Sequence, residues 1–348
     1  LVVAGKSVFW QWQDFRETEK LDDVLYLSGT GKGGDLVLEW KGELWFDGLY
    51  LFTFAIQPPA NGGVEVERLE LKWQMPAQFA RYLLHPRYEK WDGEQIALPW
   101  NTSELSSTVI LQGIEKGLAW WAQSDANWCN RENEKQISIT RSGNNVEICA
   151  GVITYPVNLQ KEARYTMSFM ATPGRPAPKG WRNFSMMTQQ PESFYLASTG
   201  SWSKSNNPDD ILYATTHIPR DPEAFAISMQ KSAGRAICYT LPGFLCSLDP
   251  EYSYFGPLWE NNLAFRWPGK TKDTGISYEA VACCGDGITD LMSWRLQQLI
   301  EHAPGMGGLF YDIAHVSQCS NKLHGHGGID QFGKHYSSSI ALHLRKYL

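Results

Sequence analysis

From residue 1 to about 170 the chain alternates apolar and polar side chains with a period near two, broken at short intervals by Gly, Asn and Asp. Asp35-Leu36-Val37-Leu38-Glu39-Trp40, Leu49-Tyr50-Leu51-Phe52-Thr53-Phe54-Ala55-Ile56 and Val64-Glu65-Val66-Glu67-Arg68-Leu69-Glu70-Leu71 carry the pattern. Successive side chains of a strand point to opposite faces, so this period commits the segment to antiparallel strands with one face buried. Ser142-Gly143-Asn144-Asn145, set between Ile137-Ser138-Ile139-Thr140 and Val146-Glu147-Ile148-Cys149, predicts a hairpin. No long amphipathic helix is written here, and the expectation for residues 1–172 is an antiparallel β-sandwich.

The run Ala171-Thr172-Pro173-Gly174-Arg175-Pro176-Ala177-Pro178-Lys179-Gly180 extends neither a strand nor a helix. It sets a joint over residues 173–190, and beyond it the period changes. Ser193-Phe194-Tyr195-Leu196-Ala197 reads as a short strand, and Asp221-Pro222-Glu223 opens a helix to about Ser232 with Asp221 as N-cap. Arg235-Ala236-Ile237-Cys238-Tyr239-Thr240 reads as a buried strand. Asp286 to His302 has helical spacing in Ile288, Leu291, Met292, Leu296, Leu299 and Ile300. Gly308-Leu309-Phe310-Tyr311-Asp312-Ile313 is another strand, and Ser337 to Leu348 reads as helix. Strand–helix alternation predicts parallel βα units, so residues 191–348 are expected to form a (β/α) TIM-type barrel.

Composition narrows the function classes. A formal net charge of −6 argues against nucleic acid or an anionic membrane as partner, and no apolar run is long enough to span a bilayer. Of fifteen Trp, fifteen Tyr and fifteen Phe most must be core, but indole faces also suit stacking on the C–H face of a sugar, and a few rings grouped with carboxylates near one loop set would form a binding platform. Seven cysteines without a C-x-x-C spacing argue against a zinc ribbon. Cys129 and Cys149 are positioned to meet across neighbouring strands and Cys283-Cys284 are vicinal, but the plainer expectation is buried free thiols. The chain starts at Leu1 with no initiator Met, which reads as the interior of a longer, secreted or periplasmic precursor.

Catalytic groups of βα barrels sit at the C-terminal ends of the strands, which is where Asp312 falls. A polar loop follows, with His315, Asn321, His324 and His326 around Gly hinges, and ordering such a loop is costly unless it acts. Asp312, His315, His324 and His326 are ligand types for a metal, yet His-x-His alone fixes no coordination geometry, so no metal or cofactor is assigned. Glycosidases need two carboxyl groups, about 5 Å apart for retention and roughly 6.5–9.5 Å for inversion. Asp312 is expected to be one; Asp330, Glu260 and Asp286 are candidates for the other. Tyr311, His315, Asn321, His324 and His326 would bind sugar hydroxyls, with Trp202 and Tyr239 as stacking platforms.

Trp45-Phe46-Asp47-Gly48-Leu49, Gly117-Leu118-Ala119-Trp120-Trp121-Ala122-Gln123-Ser124-Asp125-Ala126-Asn127-Trp128 and Phe169-Met170-Ala171-Thr172-Pro173-Gly174-Arg175-Pro176 together resemble bacterial domain-of-unknown-function family 6067. That family is related to glycoside hydrolase family 123, the β-N-acetylgalactosaminidases. Leu309-Phe310-Tyr311-Asp312 and Cys319-x-Asn321-x-x-His324-Gly325 resemble its barrel segment, and the likeness spans about residues 40–348. It implies sandwich, Pro-rich joint and barrel in that order. Family 123 uses an adjacent Asp-Glu pair, whereas Asp312 is followed by Ile313 and this chain has no Asp-Glu dipeptide. Family members also continue His-Gly with Cys where this chain has His326. Residues 191–348 fall well short of the about 250 of an eight-unit barrel. The expectation is an incomplete barrel, finished by a missing segment or a second chain. The function expected is an O-glycosyl hydrolase on a poly- or oligosaccharide; the alternatives are a non-catalytic carbohydrate-binding scaffold and a metal-dependent enzyme of the His-rich loop.

Overall fold

The computed structural model describes residues 2–3, 5–60, 62–85, 88–91, 93–98, 108–131, 134–174, 179, 195–197, 222–240, 244–246, 251–263, 278–283, 285–311 and 316–347. It divides into two compact units, one of residues 1–176 with 327–338 and one of residues 177–326 with 339–348.

The first unit turns the period-two pattern into two antiparallel sheets. In the larger, β1 (Gln11–Lys20), β2 (Val24–Gly33), β3 (Leu36–Trp45) and β4 (Leu49–Gln57) run as a meander. β5 (Ala163–Thr172) pairs with β4, and Gly117–Ala122, Thr108–Gln112, Tyr82–Leu84 and Tyr88–Lys90 complete nine strands. The smaller sheet runs Gln95–Leu98, Ile137–Ser142, Asn145–Ile153, Val64–Pro76, Val2–Val3 and Lys6–Ser7, with Val157–Leu159 also on Val64–Pro76. Ser142 faces Asn145 across the predicted hairpin.

One core cluster draws Leu36, Leu38, Phe54 and Trp120 from the larger sheet and Val66, Leu69, Ile137 and Ile148 from the smaller. Each such side chain, fully buried, is worth roughly 1.5–3 kcal/mol. Alternation on β3 shows the cause: Leu36, Leu38 and Trp40 are buried while Glu39 and Lys41 are exposed. Cys129 bridges Ile153, whereas Cys149 lies opposite Ser138 and Lys72, and both are free thiols.

In the second unit, β6 (Tyr195–Ala197), β7 (Ala236–Thr240) and β9 (Gly308–Tyr311) form a parallel sheet in the order β6-β7-β9. α1 (Pro222–Lys231) precedes β7, and α3 (Asp286–His302) precedes β9. Between β7 and α3 lie α2 (Tyr252–Trp259) and β8 (Tyr278–Val281), the latter paired antiparallel with Phe244–Cys246. Phe225 and Met229 of α1 pack with Ala236, Cys238, Leu299 and Ala303. Ile288, Met292 and Leu296 of α3 pack with Trp259 and Ala282. The α3 bounds agree with its apolar spacing. The parallel units expected after the joint are present, but a closed barrel is not seen among the described residues.

Two corrections concern the C-terminal part. β10 (Gln318–Cys319) belongs to the second unit, but β11 (Gly327–Ile329) and β12 (His335–Ser339) form a hairpin that, up to residue 338, groups with the sandwich unit. The helix read from Ser337 starts only at Ala341, as α4 (Ala341–Tyr347), because Ser337 to Ser339 are taken by the hairpin. No helix of the described residues is long and apolar enough to cross a membrane.

Candidate functional site

Asp312, His315 and Trp202 lie outside the described residues. Asp312 follows β9 directly in the chain, and β9 is the edge strand of the parallel sheet among the described residues. Tyr311, the last residue of β9, is half-buried beside Trp259, Ala282 and Met292, and burial pushes its phenol up. Tyr239 lies inside β7 rather than after it. Asp286 is the first residue of α3.

Asp330 belongs to the sandwich unit. Its carboxylate accepts backbone N–H bonds from Asn127 at 2.9 Å, Phe332 at 2.9 Å and Lys334 at 3.0 Å. The nearby Asp125 accepts from Ser337 N at 2.7 Å and pairs with Lys334 Nζ at 3.0 Å. Asp330 therefore closes the β11–β12 turn and ties it to the 124–128 loop, a structural use of one of the catalytic candidates. Glu260 is the C-cap of α2, where the Tyr252 hydroxyl donates to its carboxylate.

Asn321, His324 and His326 do come together, in company the spacing did not reveal. Cys283 and Cys319, both fully buried, join His324 and His326 so that one ligand atom from each lies within 4.8 Å of the others. Cys319 Sγ is 3.2 Å from His324 Nε2, and Cys283 Sγ is 2.9 Å from His326 Nδ1. The two imidazoles meet edge-to-face with centroids 4.6 Å apart.

The end of α2 explains why this loop folds as it does. The last carbonyls of a helix have no partner within it. Here Asn321 Nδ2 donates to Pro257 O at 2.8 Å and Glu260 O at 2.9 Å, and Cys283 N donates to Trp259 O at 2.8 Å. His324 Nδ1 lies 2.7 Å from Leu258 O, so that nitrogen carries the proton. Asn321 Oδ1 also accepts from Leu323 N at 3.0 Å, capping the 3₁₀ turn Lys322–His324. Every polar atom of the Asn321 carboxamide is thus engaged by protein. Gly325, with φ +79°, turns the chain between the two histidines, a conformation costly for any residue with a Cβ.

Electrostatics follow from this packing. Hydrogen bonding with Cys283, then with His324, His326 and the Asn321 N–H, pulls the Cys319 thiol down to about 3 despite its burial. Burial pulls His324 down, but the Cys319 thiolate and the Leu258 carbonyl outweigh it and its pKa is raised. Two thiols and two imidazoles at such separations are donors for a borderline-soft cation.

A separate feature occupies the larger sheet of the sandwich. The Trp40 indole lies over Gly29, where a Cβ would come 2.6 Å from the ring, and at Gly42 a Cβ would come 2.6 Å from the Tyr50 hydroxyl and 2.7 Å from its ring edge. Phe15 approaches Trp40 at 5.7 Å between centroids, and Phe52 sits 5.9 Å beyond it. With Trp12, these rings line a hollow of about 270 Å³. Trp12 and Phe15 are 60% and 71% exposed.

No protein family and no curated protein matches the sequence. Among solved structures, the α-galactosidase from Lactobacillus brevis is similar at 8% identity and TM-score 0.41, over 89% of this chain and 52% of that one. A GH36 α-galactosidase from Geobacillus stearothermophilus is similar at 8% identity and TM-score 0.39, over 87% and 52%. The heparan sulfate lyase of Pedobacter heparinus shares 10% identity at TM-score 0.30, over 51% and 24%. The chain spans about half the length of these galactosidases.

Proposed function

We propose that this protein acts on carbohydrate as a glycoside hydrolase, with Asp312 as one catalytic carboxylate, either nucleophile or orienting group. The observation that carries this is the parallel β6-β7-β9 sheet with its helices, because Asp312 is the first residue after β9. Open and closed α/β sheets place their chemistry at the C-terminal ends of such strands. The resemblance of Leu309 to Asp312 to the family 123-like barrel segment supports the same assignment. Glu260, whose carboxylate is held by Tyr252, lies beyond α2 as a candidate second group. The test is hydrolysis of a glycan panel by the purified chain and by Asp312→Asn, with the product anomer read by NMR. Loss of at least about 10²-fold in kcat is expected for a group acting in proton transfer or attack. Full activity in Asp312→Asn overturns the assignment.

A second reading, a non-catalytic carbohydrate-binding protein, is favoured by the aromatic hollow around Trp40. Trp40, Tyr50 and Phe52 line this hollow with the exposed Trp12 and Phe15, whose rings suit stacking on sugar C–H surfaces. Calorimetric glycan binding with no turnover of any glycan would favour that reading over hydrolysis.

A further inference from the structure

We propose that Cys283, Cys319, His324 and His326 hold one zinc ion in a closed tetrahedral site that fastens the 316–326 loop to the end of α2. The donor set is two sulfurs and two imidazole nitrogens, which suits Zn²⁺ in structural sites. Bond lengths of about 2.3 Å to sulfur and about 2.0 Å to nitrogen place tetrahedral sulfur and nitrogen ligands roughly 3.6 Å apart. The observed 2.9 and 3.2 Å contacts need to open by only about half an ångström to meet that.

The surroundings of the ligands point the same way. A metal-bound histidine usually donates its other N–H to a fixed acceptor, which sets the tautomer and aims the ring. His324 does so through Nδ1 to Leu258 O, leaving Nε2 toward Cys319. His326 turns Nε2 to His343 Nε2 at 2.8 Å and keeps Nδ1 toward Cys283. The Asn321 N–H points at Cys319 Sγ from 3.4 Å, where it would offset thiolate charge. Cys283, Cys319 and His326 are nearly without solvent contact, and four protein donors leave no open coordination position for substrate. The ion therefore serves the fold. It joins the residue after the Glu260–Ala282 bridge to the loop that follows Asp312 in sequence. This inference stands independently of the hydrolase proposal, since metal content is read without any glycan.

Elemental analysis of the purified full chain should find one zinc per molecule. Cys319→Ser and His324→Ala should each reduce that to near zero, while His335→Ala, an exposed histidine outside the cluster, should retain it. His343→Ala removes an outer partner and should weaken zinc about 10–100-fold in competition with a chromophoric chelator. Should the cysteine variant fail to fold, the wild-type chain decides the matter. Chelation should release zinc as buried thiols become reactive, and cobalt added back should give tetrahedral d–d bands with a thiolate charge-transfer band. A chain that is isolated without zinc and shows no thiolate–cobalt band on reconstitution overturns the proposal, as does a Cys283–Cys319 disulfide in the as-isolated protein.

Discussion

Gly29 shows how far one hydrogen atom shapes the larger sheet. A strand glycine costs conformational entropy and packs nothing itself, so it persists where another group needs the space. Here the space belongs to Trp40, whose ring would sit 2.6 Å from an added Cβ. Neither backbone nor indole yields without loss, because Trp40 also touches Phe15 and Phe52 and is only 9% exposed. Gly29→Ala should therefore destabilise the first unit by about 1–3 kcal/mol, as overpacking does. Urea unfolding followed by tryptophan fluorescence checks it, and an unchanged midpoint would mean that the ring swings aside freely. The same rings were legible in the sequence only as a high aromatic content. Nothing in the spacing of Gly29 and Trp40 announces that they pair, since their contact arises from the β2–β3 register.

Among elements, the β11–β12 hairpin departs most from its sequence. Ser337, Ser338 and Ser339 favour neither helix nor strand strongly, so nothing local marks where the strand ends and the helix at Ala341 begins. What makes the segment a strand is distant: Asp125 accepts from Ser337 N, and Asp330 gathers three backbone N–H groups. Asp330→Ala should cost about 2 kcal/mol, the scale for losing hydrogen bonds to a charged acceptor. Amides of 327–338 should lose hydrogen-exchange protection first, and protection equal to wild type would refute the capping role. The long helix α3 was readable almost to the residue, because an apolar stripe repeated over seventeen residues needs no distant partner to define it. The Cys/His cluster was half readable. Cys319, His324 and His326 are close in sequence, but Cys283 reaches them only because β8 and the end of α2 bring it there.

Taken whole, the chain carries buried acidic hydroxyls and thiols in both units, and these set its alkaline limit. Burial raises Tyr50, Tyr155 and Tyr165 in the sandwich and Tyr311 in the second unit above the ordinary 10.0. Burial likewise pushes Cys129 and Cys238 up to about 12 from 9.0. Each is an acid that the fold holds neutral, so the unfolded chain loses these protons at lower pH than the native one. Their contribution is complete below about pH 9 and falls as pH climbs past the unfolded values toward the folded ones. Tyr165 should matter most, at 3% exposure and with its hydroxyl donating to Asn127 O at 3.2 Å. Urea midpoints should decline above about pH 9, with a class of tyrosines whose ultraviolet ionisation signal appears only as the chain unfolds. Tyr165→Phe should flatten part of that decline, since a ring without a hydroxyl has no proton to lose. It should also cost about 1 kcal/mol at neutral pH for the lost bond to Asn127. A midpoint unchanged from about pH 8 to about pH 11 would show that burial does not hold these protons, and the desolvation argument for the core would fall with it.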